Sequence, residues 1–139
     1  MHETRTILGD IYDAWRDQDL DRLASYLPDD FCHTINFPTD LHHAGGSYAG
    51  KQAVLARWQQ VFSEFDCEQL ETPNLMVDRN HAAAEVSVHC RHRATGLPFA
   101  TIKAHFWTVE SGWPVRLNEY YDVGDIQAFV SAVAERASA

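Results

Sequence analysis

Glu119 stands between Leu117 and a tyrosine pair in RLNEYYD, residues 116–122. The flanking residues favour a strand, and a period of two puts Leu117, Glu119 and Tyr121 on one side of it. A carboxylate enclosed by apolar walls is raised in pKa, which suits a general acid or base. The bland alternative is a glutamate in a salt bridge or a dimer interface. Lys103 and His105 share one side of TIKAHFW, residues 101–107. A histidine near Glu119 makes a proton-transfer pair, its basicity raised and its tautomer set by the carboxylate. A lysine there needs a partner, because an isolated charge is costly to bury. A surface or interface cluster is the competing reading. In FCHTINF, residues 31–37, Thr34 and Asn36 share one side. The Asn36 amide can hold a water or a substrate oxygen, or simply cap the strand's exit turn. His33 has the opposite parity and faces away from that pair unless the strand bulges.

Other reactive types are more scattered. His42 and His43 lie in a glycine-rich segment, with His81, His89 and His92 further on. None shows the spacing of a zinc site, so no metal is expected. HHAGGSYAGK lacks the Lys-Ser/Thr ending of a phosphate-binding loop, and no Gly-x-Ser-x-Gly elbow occurs. The three cysteines, Cys32, Cys67 and Cys90, are odd in number and widely spaced. They suggest no disulfide framework and fit a reducing, cytoplasmic compartment.

The elements that would position these residues follow from periodicity. Ile7, Leu8, Ile11, Tyr12 and Trp15 form one helical stripe. Asp19 or Asp21 can cap a short second helix, which Pro28 ends. A strand over 31–37 and a glycine-rich loop follow. A helix over KQAVLARWQQVFSEF then presents Val54, Leu55, Trp58, Val61, Phe62 and Phe65. Four strands come next, over about 66–77, 82–93, 99–110 and 114–123, turned at Ala94-Thr95-Gly96 and Ser111-Gly112. Pro114 is expected at a strand's first position. Gly124 and Asp125 open a last helix carrying Ile126, Phe129, Val130 and Val133. Tyr12, Trp15 and Trp58 are core residues first and cavity walls second.

Pairing about Thr95-Gly96 sets Val86, Val88, Cys90 and His92 on the side of Thr101, Lys103, His105 and Trp107. Neither side is purely polar or apolar, whereas a sheet with one plain wet side alternates sharply. Both sides are therefore expected to be partly covered, one by helices and the other by a second subunit, and a pocket on one side would blur the pattern too. The 139 residues, 45% hydrophobic, make one domain over 1–139. A net charge of −9 excludes a broad nucleic-acid or anionic-membrane surface. No apolar run approaches a membrane span.

This order, with AW in the first helix, DDF before the first strand, KQAVLARWQQVF and the ending NEYYD, resembles the polyketide-cyclase, ketosteroid-isomerase and nuclear-transport-factor superfamily. The resemblance implies an α+β cone, a curved and mostly antiparallel sheet wrapped around helices. Thr95-Gly96 followed by a stretch ending Glu119-Tyr120-Tyr121-Asp122 is similar to limonene epoxide hydrolases, and puts Glu119 at a catalytic aspartate's position. Thr34-Ile35-Asn36 resembles their Tyr-x-Asn, with Asn36 kept. Their Arg-x-Asp is absent from EVSVHCRH. Ketosteroid isomerases place a base before a proline. Here Phe37 precedes Pro38, and Asp40 would have to bend inward, while Tyr12 loosely matches an oxyanion donor. The resemblance thus implies a cofactor-independent acid–base enzyme of the isomerase, cyclase or hydrolase type on a small hydrophobic molecule. Its residues would be Glu119, His105 and Asn36, in a pocket lined by Tyr12, Trp15, Thr34, Trp58, Lys103 and Tyr121. The alternatives are a non-catalytic binder of such molecules and a protein-interaction module using the sheet face.

Overall fold

The structure is a computed structural model describing residues 2–138, with the side chain of residue 2 left out of the account. Among the described residues the order is α1 (His2–Arg16), α2 (Leu20–Tyr26), β1 (Cys32–Ile35), β2 (Gly46–Ala49), α3 (Lys51–Glu64), β3 (Phe65–Asp78), β4 (His81–His92), β5 (Pro98–Glu110), β6 (Trp113–Tyr120) and α4 (Val123–Ser138). The strands form one sheet in the order β2-β1-β6-β5-β4-β3. All neighbours are antiparallel except β1 and β6, which run parallel. This is the expected α+β roll.

The core follows the helical stripes. Leu8, Ile11 and Ala14 of α1, Leu23 of α2, and Val54 and Trp58 of α3 are buried against Val86, Val88, Trp107 and Leu117 of the sheet. Asp19 caps α2, its side chain accepting from the Arg22 N–H at 3.1 Å. The β4–β5 register pairs Val86 with Lys103 and Val88 with Thr101, as the alternation predicts. Ser111 and Gly112 join β5 to β6 in two residues, both with positive φ. Such a turn matches the twist of its strands, and glycine adopts it without strain.

Three local expectations are corrected. The segment read as an open loop ends in β2, which pairs with β1 from Ile35–Gly46 to Cys32–Ala49. Phe65 does not end α3 but opens β3, opposite His92. Pro114 is the second residue of β6 and sits at a register shift between Thr108 and Val109, where a missing N–H leaves the ladder intact. The loop before β2 is pinned by Gly45. A Cβ there would lie 2.2 Å from the Phe37 carbonyl oxygen, so only glycine allows this approach.

Candidate active site

Glu119 faces inward near the end of β6, opposite His105 of β5 and beside Ile35 of β1. It is 4% exposed, and three donors converge on its carboxylate. His33 Nε2 lies 3.2 Å from Oε1. His105 Nε2 lies 2.5 Å and Lys103 Nζ 2.8 Å from Oε2. Lys103 also donates to the Tyr121 hydroxyl at 3.0 Å.

The surrounding hydrogen bonds decide where the histidine protons sit. Trp58 Nε1 donates to His33 Nδ1 at 3.0 Å. An indole N–H only donates, so His33 Nδ1 must accept and Nε2 carries the hydrogen toward Glu119. On the other side Trp107 Nε1 donates to the Tyr12 hydroxyl at 2.9 Å, and that hydroxyl lies 2.7 Å from His105 Nδ1. With its oxygen accepting from Trp107, Tyr12 donates its own hydrogen to His105, whose Nε2–H then points at Glu119. Both rings are therefore neutral N–H donors to one carboxylate, and Lys103 balances its charge.

The titration behaviour agrees with this count. Burial alone would raise Glu119, but the charge of Lys103 and the histidine hydrogen bonds outweigh it and hold the carboxyl well below its usual range. Burial likewise opposes the charge on Lys103, yet Glu119 and Tyr121 raise it above its usual value. Burial lowers His105 despite Glu119 beside it. It also raises Tyr12, and pushes Tyr121 up to about 12. The raised carboxylate and more basic histidine expected from the sequence are thus both reversed. The sequence reading had Glu119 among apolar walls, whereas the fold delivers an ammonium to it.

A cavity of about 90 Å³ opens in front of this cluster. A water needs about 10–15 Å³ of such space, so the cavity admits a small molecule. Its walls are mostly apolar, with Trp15, Ile35, Phe37, Trp58, Phe99 and Phe129 among them. His33, Lys103, Glu119 and Tyr121 supply a polar end. A smaller recess behind Glu119 is lined by Tyr12, His105 and Trp107.

The predicted residues divide accordingly. Trp15, Trp58, Lys103 and Tyr121 line the main cavity, and Tyr12 and His105 line the recess. Thr34 does not face the cavity: its hydroxyl meets Ser47 Oγ at 3.1 Å across β1 and β2. Asn36 also turns from it, donating its amide to the Glu119 backbone carbonyl at 2.9 Å, which ties the end of β1 to β6. Asp40 is exposed on a separate surface groove. The missed residue is His33. Its signal was present, because His33 shares parity with the apolar Phe31, Ile35 and Phe37, the set that faces the core.

A second carboxylate gathers histidines at the rim. Glu64 lies 3.3 Å from His42 Nε2, 2.7 Å from His43 Nε2 and 3.4 Å from His92 Nε2. The His42, His43 and Glu64 ligand atoms lie within 4.8 Å of one another, close enough to hold a metal ion. The Nδ1 partners oppose ligation, however. His42 Nδ1 accepts from the Ala44 N–H and His43 Nδ1 faces the Arg57 guanidinium. Both Nε2 atoms therefore carry hydrogens aimed at Glu64. Burial would raise Glu64, but the hydrogen bonds from His42 and His43 bring it down to about 2. Its folded pKa lies below the unfolded value, so its stabilisation is complete above about pH 4.5 and is lost as pH falls toward 2. Glu64→Gln should cost roughly 2–3 kcal/mol at pH 7. Urea titrations of both proteins should show that gap closing between pH 4.5 and 2; a gap independent of pH would refute this account.

Similarities to known proteins fit the geometry. The chain superposes on a provisionally assigned isomerase from Rhodopseudomonas palustris with TM-score 0.79 and 23% identity, over 93% of this chain and 97% of that one. A provisionally assigned polyketide cyclase from Xanthomonas campestris pv. campestris gives 0.75 and 20%, over 93% and 97%. TerC, co-crystallised with polyporic acid, gives 0.81 and 15%, over 93% and 98%. No curated protein matches the sequence. Among the described residues no helix is long and apolar enough to cross a membrane. The likeness shows a shared fold, described as NTF2-like or ketosteroid isomerase-like for other matching structures. Matched to the family model from residue 8 to residue 119, the chain belongs to the SnoaL-like domain family.

Proposed function

We propose that this protein is a cofactor-independent acid–base enzyme of the isomerase or cyclase type, acting on a small, largely apolar molecule that carries a carbonyl oxygen. One observation carries the reading: an ionised Glu119 and a Lys103–Tyr121 donor pair meet at the polar end of an apolar cavity. Tyr121 accepts from Lys103 and keeps its own O–H for a ligand. A substrate oxygen held by Tyr121 and Lys103 is polarised, and the adjacent C–H becomes acidic. Glu119 Oε1 accepts one hydrogen bond where Oε2 accepts two, so Oε1 is the oxygen that takes the proton. The negative charge then passes from Glu119 to the enolate oxygen, and Lys103 remains between them. Preorganised donors of this kind lower a barrier because they need no reorganisation as charge develops. His105 and His33 have both ring nitrogens engaged and act as positioning residues. Hydrolase chemistry of the epoxide type is less supported, since Lys103 and His105 stand at the carboxylate where that reaction uses Arg-x-Asp.

The test is a screen of enolisable ketones and epoxides against the wild type and Glu119→Gln. Proton exchange or isomerisation of a ketone that disappears in the variant supports the reading; equal turnover by both proteins sinks it. A carboxylate held ionised by three donors also favours the second reading, a non-catalytic binder, which predicts saturable binding with no exchange.

The outer side of the sheet exposes Ile102, Phe106 and Tyr120, at 60%, 50% and 48%. We propose that a second copy covers it, in a cytoplasmic homodimer. Light scattering should give twice the chain mass, and Phe106→Glu should halve it; a monomeric wild type removes the proposal.

A further inference from the structure

Cys67 of β3 and Cys90 of β4 are direct partners across the antiparallel ladder. Both are free and half-buried, both border the main cavity, and the Cys67 thiol meets the Gln69 carbonyl oxygen at 3.8 Å where the ladder bulges. Opposed residues in an antiparallel pair have Cα atoms about 4.5–5.5 Å apart. A disulfide spans about 4.4–6.8 Å, so this pair can close without moving a strand. The ladder also shifts register just after Cys67, a bulge that loosens the backbone where the sulfurs must rotate.

We infer that Cys67 and Cys90 are a redox pair, in which a hydroperoxide entering the cavity oxidises Cys67 and Cys90 resolves it as a cross-strand disulfide. This goes beyond the acid–base chemistry and does not depend on it. The Cys67 thiolate attacks one peroxide oxygen, the O–O bond breaks, and the alkoxide leaves as an alcohol after taking a proton. Cys67 is then a sulfenic acid. The Cys90 sulfur attacks it, the S–O bond breaks, and hydroxide leaves as water with the Cys90 proton. Two thiols are oxidised and one hydroperoxide is reduced. The hydrogen bond from Cys90 brings the Cys67 thiol down to about 7 against the effect of burial, and the Lys103 charge helps. The same contact, with burial, pushes Cys90 up. That asymmetry fits Cys67 as the attacking thiol and Cys90 as the resolving one, while the direct cross-strand pairing of the two carries the bridge itself. In a reducing compartment such bridges are transient and redox-sensing rather than structural.

The experiment uses the full chain carrying Cys32→Ser, which excludes the third thiol. The folded protein is treated with hydrogen peroxide, blocked with iodoacetamide and mapped by mass spectrometry. The expected product has lost two hydrogens, yields one linked peptide containing Cys67 and Cys90, and reverts with dithiothreitol. In Cys90→Ala, Cys67 should stop at the sulfenic acid and be captured by dimedone, and its alkylation at pH 7 should slow several-fold. Two results overturn the inference: both thiols still free at peroxide levels that oxidise free cysteine, or Cys67 carried to the sulfinic acid with no link. The wild-type linkage map decides the matter even if the alanine variant folds poorly, and neither readout requires a substrate.

Discussion

Lys103→Met is expected to lower the stability of the protein by about 3–5 kcal/mol at pH 7, the usual cost of removing one partner from a buried ion pair. Methionine fills a similar volume, so the loss is chiefly electrostatic. Lys103 and Glu119 are 8% and 4% exposed, and water cannot replace the missing charge. The histidines cannot simply take over. Trp58 holds His33 neutral, and an imidazolium at His105 would place an N–H against the Tyr12 oxygen and orphan the Tyr12 hydrogen. The sign of the pH dependence should invert as well. In the wild type the Glu119 pKa is lowered, so its stabilisation is present above about pH 4.5 and is lost in acid. In the variant, burial is no longer outweighed, the folded pKa rises above the unfolded one, and stability increases as pH falls toward the unfolded value. Urea titrations from pH 8 to pH 5 distinguish the two trends, and a variant within about 1 kcal/mol of wild type would show that the pair carries no net charge penalty.

Glu119→Gln should reduce turnover of any substrate found by about 10²–10⁴-fold, the range supplied by a positioned general base. The amide removes the proton acceptor while nearly preserving shape. It also creates a donor conflict, because the carboxylate faces three donors. A glutamine oxygen in the place of Oε2 satisfies Lys103 and His105, but its NH₂, in the place of Oε1, then meets the Nε2–H of His33. His105 keeps an oxygen acceptor and with it the bond from Tyr12. His33 cannot escape the conflict by moving its hydrogen, because Trp58 occupies its Nδ1. Nitrogen NMR should therefore show both rings keeping their Nε2–H forms in Glu119→Gln, with the His33 Nε2–H signal shifted by the loss of its acceptor. A fall in turnover with KM unchanged would assign Glu119 to the chemical step. A rise in KM alone would make it a binding group and favour the non-catalytic reading.

Much of the fold was legible because its evidence is local. The β4–β5 register follows from a short turn at Thr95-Gly96 and from strand parity, so Lys103 and His105 were placed on one face correctly. The α1 and α3 stripes were readable from helical period. Gly46–Ala49 was not, since four small or polar residues become a strand only by pairing with β1. Thr34 and Asn36 match the resemblance by residue type, whereas the apolar parity of Phe31, Ile35 and Phe37 points to His33.

The α+β class and the shared face of Lys103 and His105 follow from the sequence alone, as does the parity that sets Leu117, Glu119 and Tyr121 on one side of their strand. Period and turn chemistry are properties of neighbouring residues, and they suffice for that. Only the tertiary structure decided what Glu119 is. The parallel pairing of β1 with β6 brings in His33, α3 brings Trp58 to fix its tautomer, and α1 brings Tyr12 to fix that of His105. It also set Cys67 against Cys90. A pKa depends on charges and donors summed over all elements around a buried group. That is why a carboxylate read as raised from its own strand is held low in the folded chain.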